Sequence, residues 1–222
     1  MSSDLPAPLR LAADPLMHGV SRRDMAERAS AISTRYRAGG TSAGVVGSEA
    51  DATAYVLTRL PATYAACARV FEEAAERAPG FEPASLLDAG AGPGGAGWAA
   101  LEAWPCLRQA TLLDSNRAFL DMAATLAADG PAPLREAELR KGDLTAPADW
   151  PQADLVVASY ALAEIAPAKQ AATVSALWAS TEGMLVLVEP GTPAGYARIL
   201  AARETLIAAG GAILAPCPHN QA

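Results

Sequence analysis

Cysteine is scarce in this chain: Cys67, Cys106 and Cys217 are scattered over 222 positions. That usage excludes a disulfide framework and fits a reducing, cytoplasmic setting. Long apolar runs are missing as well. Although 51% of the residues are hydrophobic, no stretch approaches the roughly eighteen that a membrane-spanning helix needs. The N-terminus has no charged-then-apolar pattern, and Asp4, Asp14 and the prolines Pro6, Pro8 and Pro15 stand where a secretory signal would be. Positive charge is also short. Lys and Arg number 17 against 24 Asp and Glu, for a net charge of −7 and a pI near 4.9. That balance argues against wholesale coating by nucleic acid, and DNA is not an expected partner; a local basic face stays open.

What is present is enough apolar material for a full core, arranged in two styles. Residues 1–80 read as a helical N-terminal region. A proline-containing lead-in with one short helix is followed by a helix from Ser21-Arg-Arg-Asp24 to about Tyr36, closed by Gly39-Gly40. After a Gly/Ser/Thr stretch, a helix runs from Ser48 to Leu60, and Pro61 opens another that reaches about Arg77. From residue 81 to 222 strand and helix alternate, the pattern of a parallel α/β sheet. Strands are expected near 85–89, 110–114, 137–141, 154–158 and 183–188 and weakly at 212–215, with helices at 96–103, 116–128, 168–180 and 194–209. The runs Asp154-Leu-Val-Val-Ala158 and Met184-Leu-Val-Leu-Val188 are continuously apolar, as strands covered on both faces are.

The most informative stretch is Leu86-Leu-Asp-Ala-Gly-Ala-Gly-Pro-Gly94, an apolar strand entering a glycine-rich turn with an acid at its end. Such a turn offers backbone N–H groups to a nucleotide-like ligand. The glycines alone also fit a dinucleotide fingerprint, but Asp88 would sit poorly beside a pyrophosphate. S-adenosylmethionine (SAM) has no phosphate and carries an ammonium and a sulfonium, for which an acid is an asset. Gly90, Gly92 and Gly94 would let the backbone approach that ligand. The plainer reading is a strand turn with Asp88 capping the next helix. Two further strand ends carry acids: Asp114-Ser115-Asn116, placed to meet ribose hydroxyls, and Asp143-Leu144, where Asp143 would accept from the adenine amine and Leu144 would cover the ring. Singly, each acid reads as a surface turn residue; together they predict a crevice site. The fold expected is therefore a class I SAM-dependent methyltransferase, Rossmann-like, whose final antiparallel strand is missing.

Five segments extend this pattern: Leu60-Pro-Ala-Thr-Tyr64, the glycine turn itself, Ser159-Tyr-Ala-Leu-Ala-Glu164, Val188-Glu-Pro-Gly-Thr-Pro193 and Ile213-Leu-Ala-Pro-Cys-Pro-His219. In these the sequence resembles the Rsm22 family, methyltransferase-like proteins of the small ribosomal subunit in bacteria and mitochondria. The resemblance implies a SAM-type core behind a helical region, and association with small-subunit ribosomal RNA or proteins during assembly or translation. It also implies an iron–sulfur cluster with the Cys-Pro-His cysteine among its ligands. Cys217 would be a single ligand here, the others lying beyond Ala222 in a full-length form, since Cys67 and Cys106 fall outside the cysteine motif and a four-thiolate cluster needs four. A chain shortened at its C-terminus is the expectation.

The acceptor side should form at Ser159 and Tyr160, where the fourth strand ends; an Asn-Pro-Pro-Tyr type of motif is absent there. Pro216-Cys217 lies too late in the chain to be a carbon-methylating nucleophile. Glu164 and Glu189 read either as general bases or as hydrogen-bonding residues at element ends, and His219 as a cluster neighbour or a tail residue. Arg22, Arg23, Arg28, Arg35 and Arg37 gather in one helix, either to track ribosomal RNA phosphates or as a solvated face paired with Asp24 and Glu27. Three functions compete: an rRNA methyltransferase, a non-catalytic assembly factor that keeps the SAM pocket, and a small-molecule methyltransferase with a helical lid.

Overall fold

A computed structural model describes residues 4–18, 21–37, 46–146 and 149–220, without the side chains of residues 22, 36 and 37. The expected closure at Gly39-Gly40 lies outside these residues. The lead-in forms α1 (Ala7–Ala13) and a 3-10 turn (Asp14–Met17), followed by α2 (Arg22–Arg37), α3 (Glu49–Thr58) and α4 (Leu60–Arg77). Ser48 and Asp51 build a reciprocal capping box at the start of α3, which satisfies amides that have no helical acceptor. Pro61 is tolerated in the first turn of α4, where its missing N–H costs nothing.

The remainder alternates as expected: β1 (Ser85–Ala89), α5 (Gly95–Ala103), β2 (Gln109–Asp114), α6 (Arg117–Ala127), α7 (Ala132–Arg135), β3 (Glu138–Lys141), β4 (Ala153–Ser159), α8 (Pro167–Ala179), β5 (Thr181–Val188) and α9 (Pro193–Ala208). The strands form one parallel sheet in the order β3-β2-β1-β4-β5. This is the order of a doubly wound Rossmann-like sheet, whose ligand crevice opens beyond the carboxyl ends near the central strand. At the opposite end, Asp154 Oδ2 accepts from the Ala84 and Ser85 amides at 2.8 and 3.0 Å and locks β1 to β4.

Side chains alternate between two covered faces. Leu86, Leu155, Val157 and Val186 join Leu60, Tyr64, Phe71 and Trp98 in a cluster shared with the N-terminal helices. Leu87, Leu113, Val156 and Ala158 pack with Leu177 on the other face. The expected strand at 212–215 does not form. Asn220 takes its hydrogen bonds instead, accepting from the Ile213 amide and donating to the Gly211 carbonyl, which folds the segment back behind α9.

Candidate cofactor site

The glycine turn joins β1 to α5, and four of its amides are satisfied, three of them from the end of β2. Leu113 O accepts from Gly90 and Ala91 at 2.8 and 3.0 Å, Ala91 O accepts from Gly94, and Asp114 Oδ2 accepts from Gly92 at 2.8 Å. The turn therefore keeps these four N–H groups for its own shape, a correction to the expectation that they would face a ligand. Left wanting is Asp88. It is fully buried, and neither carboxylate oxygen has a hydrogen-bond partner. Burial pushes its pKa up to about 7; Asp114 adds to the shift, and the Gly97 amide, short of hydrogen-bond geometry, tempers it. Nor does Asp88 cap α5, whose N-cap Gly94 has no side-chain cap. A buried charge without a partner is costly enough to demand a reason.

Gly92 supplies the space. A Cβ there would meet nothing within 4 Å, at φ +54°. Gly90, by contrast, is covered by Ala161 and Leu144, whose side-chain carbons would lie 2.8 and 3.4 Å from an added Cβ. Leu144 thus sits over the turn itself. Asp114 is buried and its other oxygen accepts from the Asn116 amide at 2.7 Å, so this acid shapes the turn. Burial raises its pKa, against the pull of the Asn116, Gly92 and Ser115 amides. Ser115 is exposed. Asp143 is exposed too, held below the usual aspartate range by the Thr145 amide and hydroxyl and by Lys169. It borders a depression of about 270 Å³ with Leu113, Lys141 and Trp150.

On the other side of β1, Ser159 and Tyr160 end β4 half-buried. Tyr160 has φ +59°, a left-handed conformation that costs a bulky residue energy and marks the strand exit as constrained. Glu189 is an architectural residue. Its side chain is 1% exposed, with Oε2 accepting from Arg198 Nε at 2.6 Å and Oε1 from the Ala163 amide at 3.2 Å. The structure therefore brings Asp88, the glycines and Asp114 into one turn and sets Asp143 at its rim.

Two contributors escaped the sequence reading. Asn116 caps α6 through the Ala118 amide and donates from Nδ2 to Val46 O at 2.8 Å, tying the lead into α3 to the end of β2. The Asp-Ser-Asn run at a strand end signalled the cap but not the tie. Tyr55 of α3 sets its ring edge-to-face on Phe119, centroids 4.8 Å apart. Burial raises its pKa above the usual tyrosine range; the acids Glu164 and Asp114 and the Tyr160 phenol reinforce this, and Arg59 opposes it.

A family model described as mitochondrial small ribosomal subunit Rsm22 matches residues 49–222. The chain belongs to the Rsm22 family. Within the curated proteins, this Rsm22-family chain is 33% identical over 181 residues to the human "Ribosome assembly protein METTL17, mitochondrial", covering 75% of this chain and 39% of that protein. It thus spans about two-fifths of the length of that relative. Similar solved structures include CalS10, an amino pentose methyltransferase from Micromonospora echinaspora (23% identity, 60% of this chain, 53% of that chain, TM-score 0.48). Another is DesVI of Streptomyces venezuelae (19% identity, 63% and 56%, TM-score 0.47). The α/β fold of the class I methyltransferase type stands on the strand order and crevice.

Two cofactors are implied, and the residues treat them differently. SAM fits: an orphaned buried carboxylate suits its ammonium, and Gly92, in the turn that follows the same strand, faces open space. These residues do not by themselves supply a four-thiolate cluster, for which Cys217 would be one ligand. Cys67 is buried, Cys106 half-buried and Cys217 exposed, and among the described residues no group of three His, Cys, Asp or Glu could hold a metal. No helix of the described residues is long and apolar enough to cross a membrane.

Proposed function

We propose that this chain is a SAM-binding, methyltransferase-like protein that associates with RNA or protein of the small ribosomal subunit during assembly, with the pocket serving chiefly to bind. Asp88 carries this reading. A fully buried carboxylate with both oxygens unpartnered, on the strand that leads to the open Gly92, is accounted for by a cationic ligand. Bound SAM would supply a methyl group activated on a sulfonium. Asp88 would hold the ammonium, Asp114 would keep the turn in shape, and Asp143 and Ser115 would stand at the rim. Leu144 closes over Gly90, and Ser159 and Tyr160 border the acceptor side.

Assembly is favoured over RNA methylation by the acceptor side. Glu189 is committed to Arg198 and Ala163, and the Ala161 and Leu162 side chains following Tyr160 are buried apolar groups. The tie of the lead into α3 to the end of β2 favours a second reading, a small-molecule methyltransferase with a helical lid. Arg23 and Arg28, two of the arginines considered for RNA contact, pair with Glu27 and Asp51, so subunit contact is assigned to the family resemblance and not to that helix.

Calorimetric titration of SAM tests the pocket. Saturable binding that Asp88→Asn weakens by about 10-fold or more supports it; a folded protein that takes up no SAM overturns it. Co-sedimentation with small subunits tests the partner, and methyl incorporation into their RNA would replace assembly with methylation. A protein that binds SAM yet ignores subunits leads to the small-molecule reading.

A further inference from the structure

Helix α3 is strung between two points that both adjoin the glycine turn. Before its start, Asn116 Nδ2 donates to Val46 O at 2.8 Å, and both residues are buried. At its far end α3 passes through Arg59 into α4, whose first residue is Leu60. Leu60 lies against Gly95, the first residue of α5. A Cβ on Gly95 would fall 2.6 Å from Leu60 Cδ1, so only glycine lets the two helices meet this closely. Helix α2 holds the same two ends of α3: Arg28 pairs with Asp51 in its first turn, and Arg59 Nη2 donates to Ser33 Oγ at 2.8 Å. The three helices are thus joined to one another, and their footings on the sheet flank the turn.

The footing at Asn116 is continuous with the turn through one carboxylate. Asp114 Oδ2 accepts from the Gly92 amide at 2.8 Å, and its Oδ1 accepts from the Asn116 amide at 2.7 Å. Asn116 then divides its side chain. Its Oδ1 accepts from the Ala118 amide at 3.0 Å and caps α6, while Nδ2 reaches Val46. Hydrogen bonds therefore run without a gap from Gly92 to the lead into α3, and Asp114, Asn116 and Val46 are all buried. In such a setting linked hydrogen bonds strengthen one another. A ligand that fixes Gly92 and Asp114 also fixes the Asn116 backbone, and with it the side-chain placement that serves cap and tie together. The ordering cost of seating α3 then falls, which is positive coupling. We propose that Asn116 is a positioning residue of the cofactor site, through which filling the crevice and seating α3 become one coupled event. The inference rests on the SAM reading above and adds a consequence to it. The form holding SAM would keep α2, α3 and α4 in a fixed arrangement, and the empty form would hold them more loosely. Linkage is reciprocal, so the factor by which SAM favours the tie is the factor by which the tie favours SAM.

Hydrogen exchange of the full chain with and without SAM, read by mass spectrometry beside calorimetric titration, tests the coupling. In the wild type, SAM should slow exchange in α3 by about 5-fold or more, as well as in the glycine turn. Asn116→Ser keeps a capping hydroxyl for α6 but is too short to reach Val46 O. In that variant SAM should still protect the turn, lose its effect on α3 and bind about 5-fold more weakly, with circular dichroism confirming the fold. A tie that served structure alone would speed exchange in α3 equally with and without SAM and leave the affinity unchanged; that result overturns the inference. Continued protection of α3 by SAM in folded Asn116→Ser overturns it too. So does a wild-type α3 that exchanges at one rate with or without SAM beside a protected turn, an outcome that needs no variant to fold. Absence of SAM binding overturns the SAM reading itself.

Discussion

The two halves of the crevice dispose of their buried acids in opposite ways. At the exit of β5, Glu189 is clasped by Arg198 and by the Ala163 amide, and its charge helps fasten α9 and the turn after β4 to the sheet. At the exit of β1, Asp88 is equally hidden and completes no hydrogen bond, the Gly97 amide only tempering its charge. A buried acid with a partner is architecture; one without is what the proposed cationic ligand would satisfy. The contrast separates residues that neither burial nor position at a strand end would distinguish.

Truncating the partnered acid gives the largest expected effect. Glu189→Ala leaves the Arg198 guanidinium, with 19% of its side chain exposed, without its carboxylate. A loss of about 3–5 kcal/mol is expected, seen as a fall of roughly 10 °C in Tm. If Glu189→Ala is neutral, the contrast fails at its structural end.

Asp88→Asn should move stability the other way. Burial raises the folded-state pKa to about 7, above the ordinary aspartate value near 4. Between those values the folded protein holds a proton that the unfolded chain has released, so wild-type stability falls as pH rises through this window. The neutral variant escapes that loss. Its Tm should exceed that of the wild type by roughly 5–10 °C at pH 8, with the gain shrinking to nothing below about pH 4. A pH-independent difference would show that the acid is not the orphan described.

Much of the crevice was legible because its signals are local. A continuous apolar run followed by Asp-x-Gly-x-Gly reports a buried strand and its turn; β1, β2, β4 and β5 fell on largely apolar runs, while β3, Glu138-Leu-Arg-Lys141, has none and was placed by the strand–helix alternation. The weak strand at 212–215 was misread because apolar content there gave no hint that Asn220 would take up the backbone groups. The tie that holds α3 was illegible for a different reason. Val46 and Asn116 are 70 positions apart, and nothing in either neighbourhood encodes the other. Nor could sequence tell Asp88 from Glu189, since both end apolar strands and only packing assigns a partner.

Asn116→Ala sharpens the distinction between the turn and the helices tied to it. Losing the α6 cap and the tie to Val46 should cost about 1–2 kcal/mol, and hydrogen exchange should rise first in α3. Uniform exchange across the sheet would mean that the tie does not hold α3. The smallest effect belongs to the rim: Asp143→Asn changes an exposed acid in a local turn with Thr145, and should shift stability by no more than about 0.5 kcal/mol in urea melts.

The glycine run also serves as a diagnostic for variants and relatives. A side chain at Gly92 would enter open space, whereas a Cβ at Gly95 would fall 2.6 Å from Leu60 Cδ1 on α4. Two adjacent-looking substitutions thus have unrelated meanings. A chain that has replaced Gly92 has accepted a side chain at a left-handed φ of +54°, a strain on the turn itself. One that has replaced Gly95 advertises that its N-terminal helices sit differently on the sheet, whatever it binds.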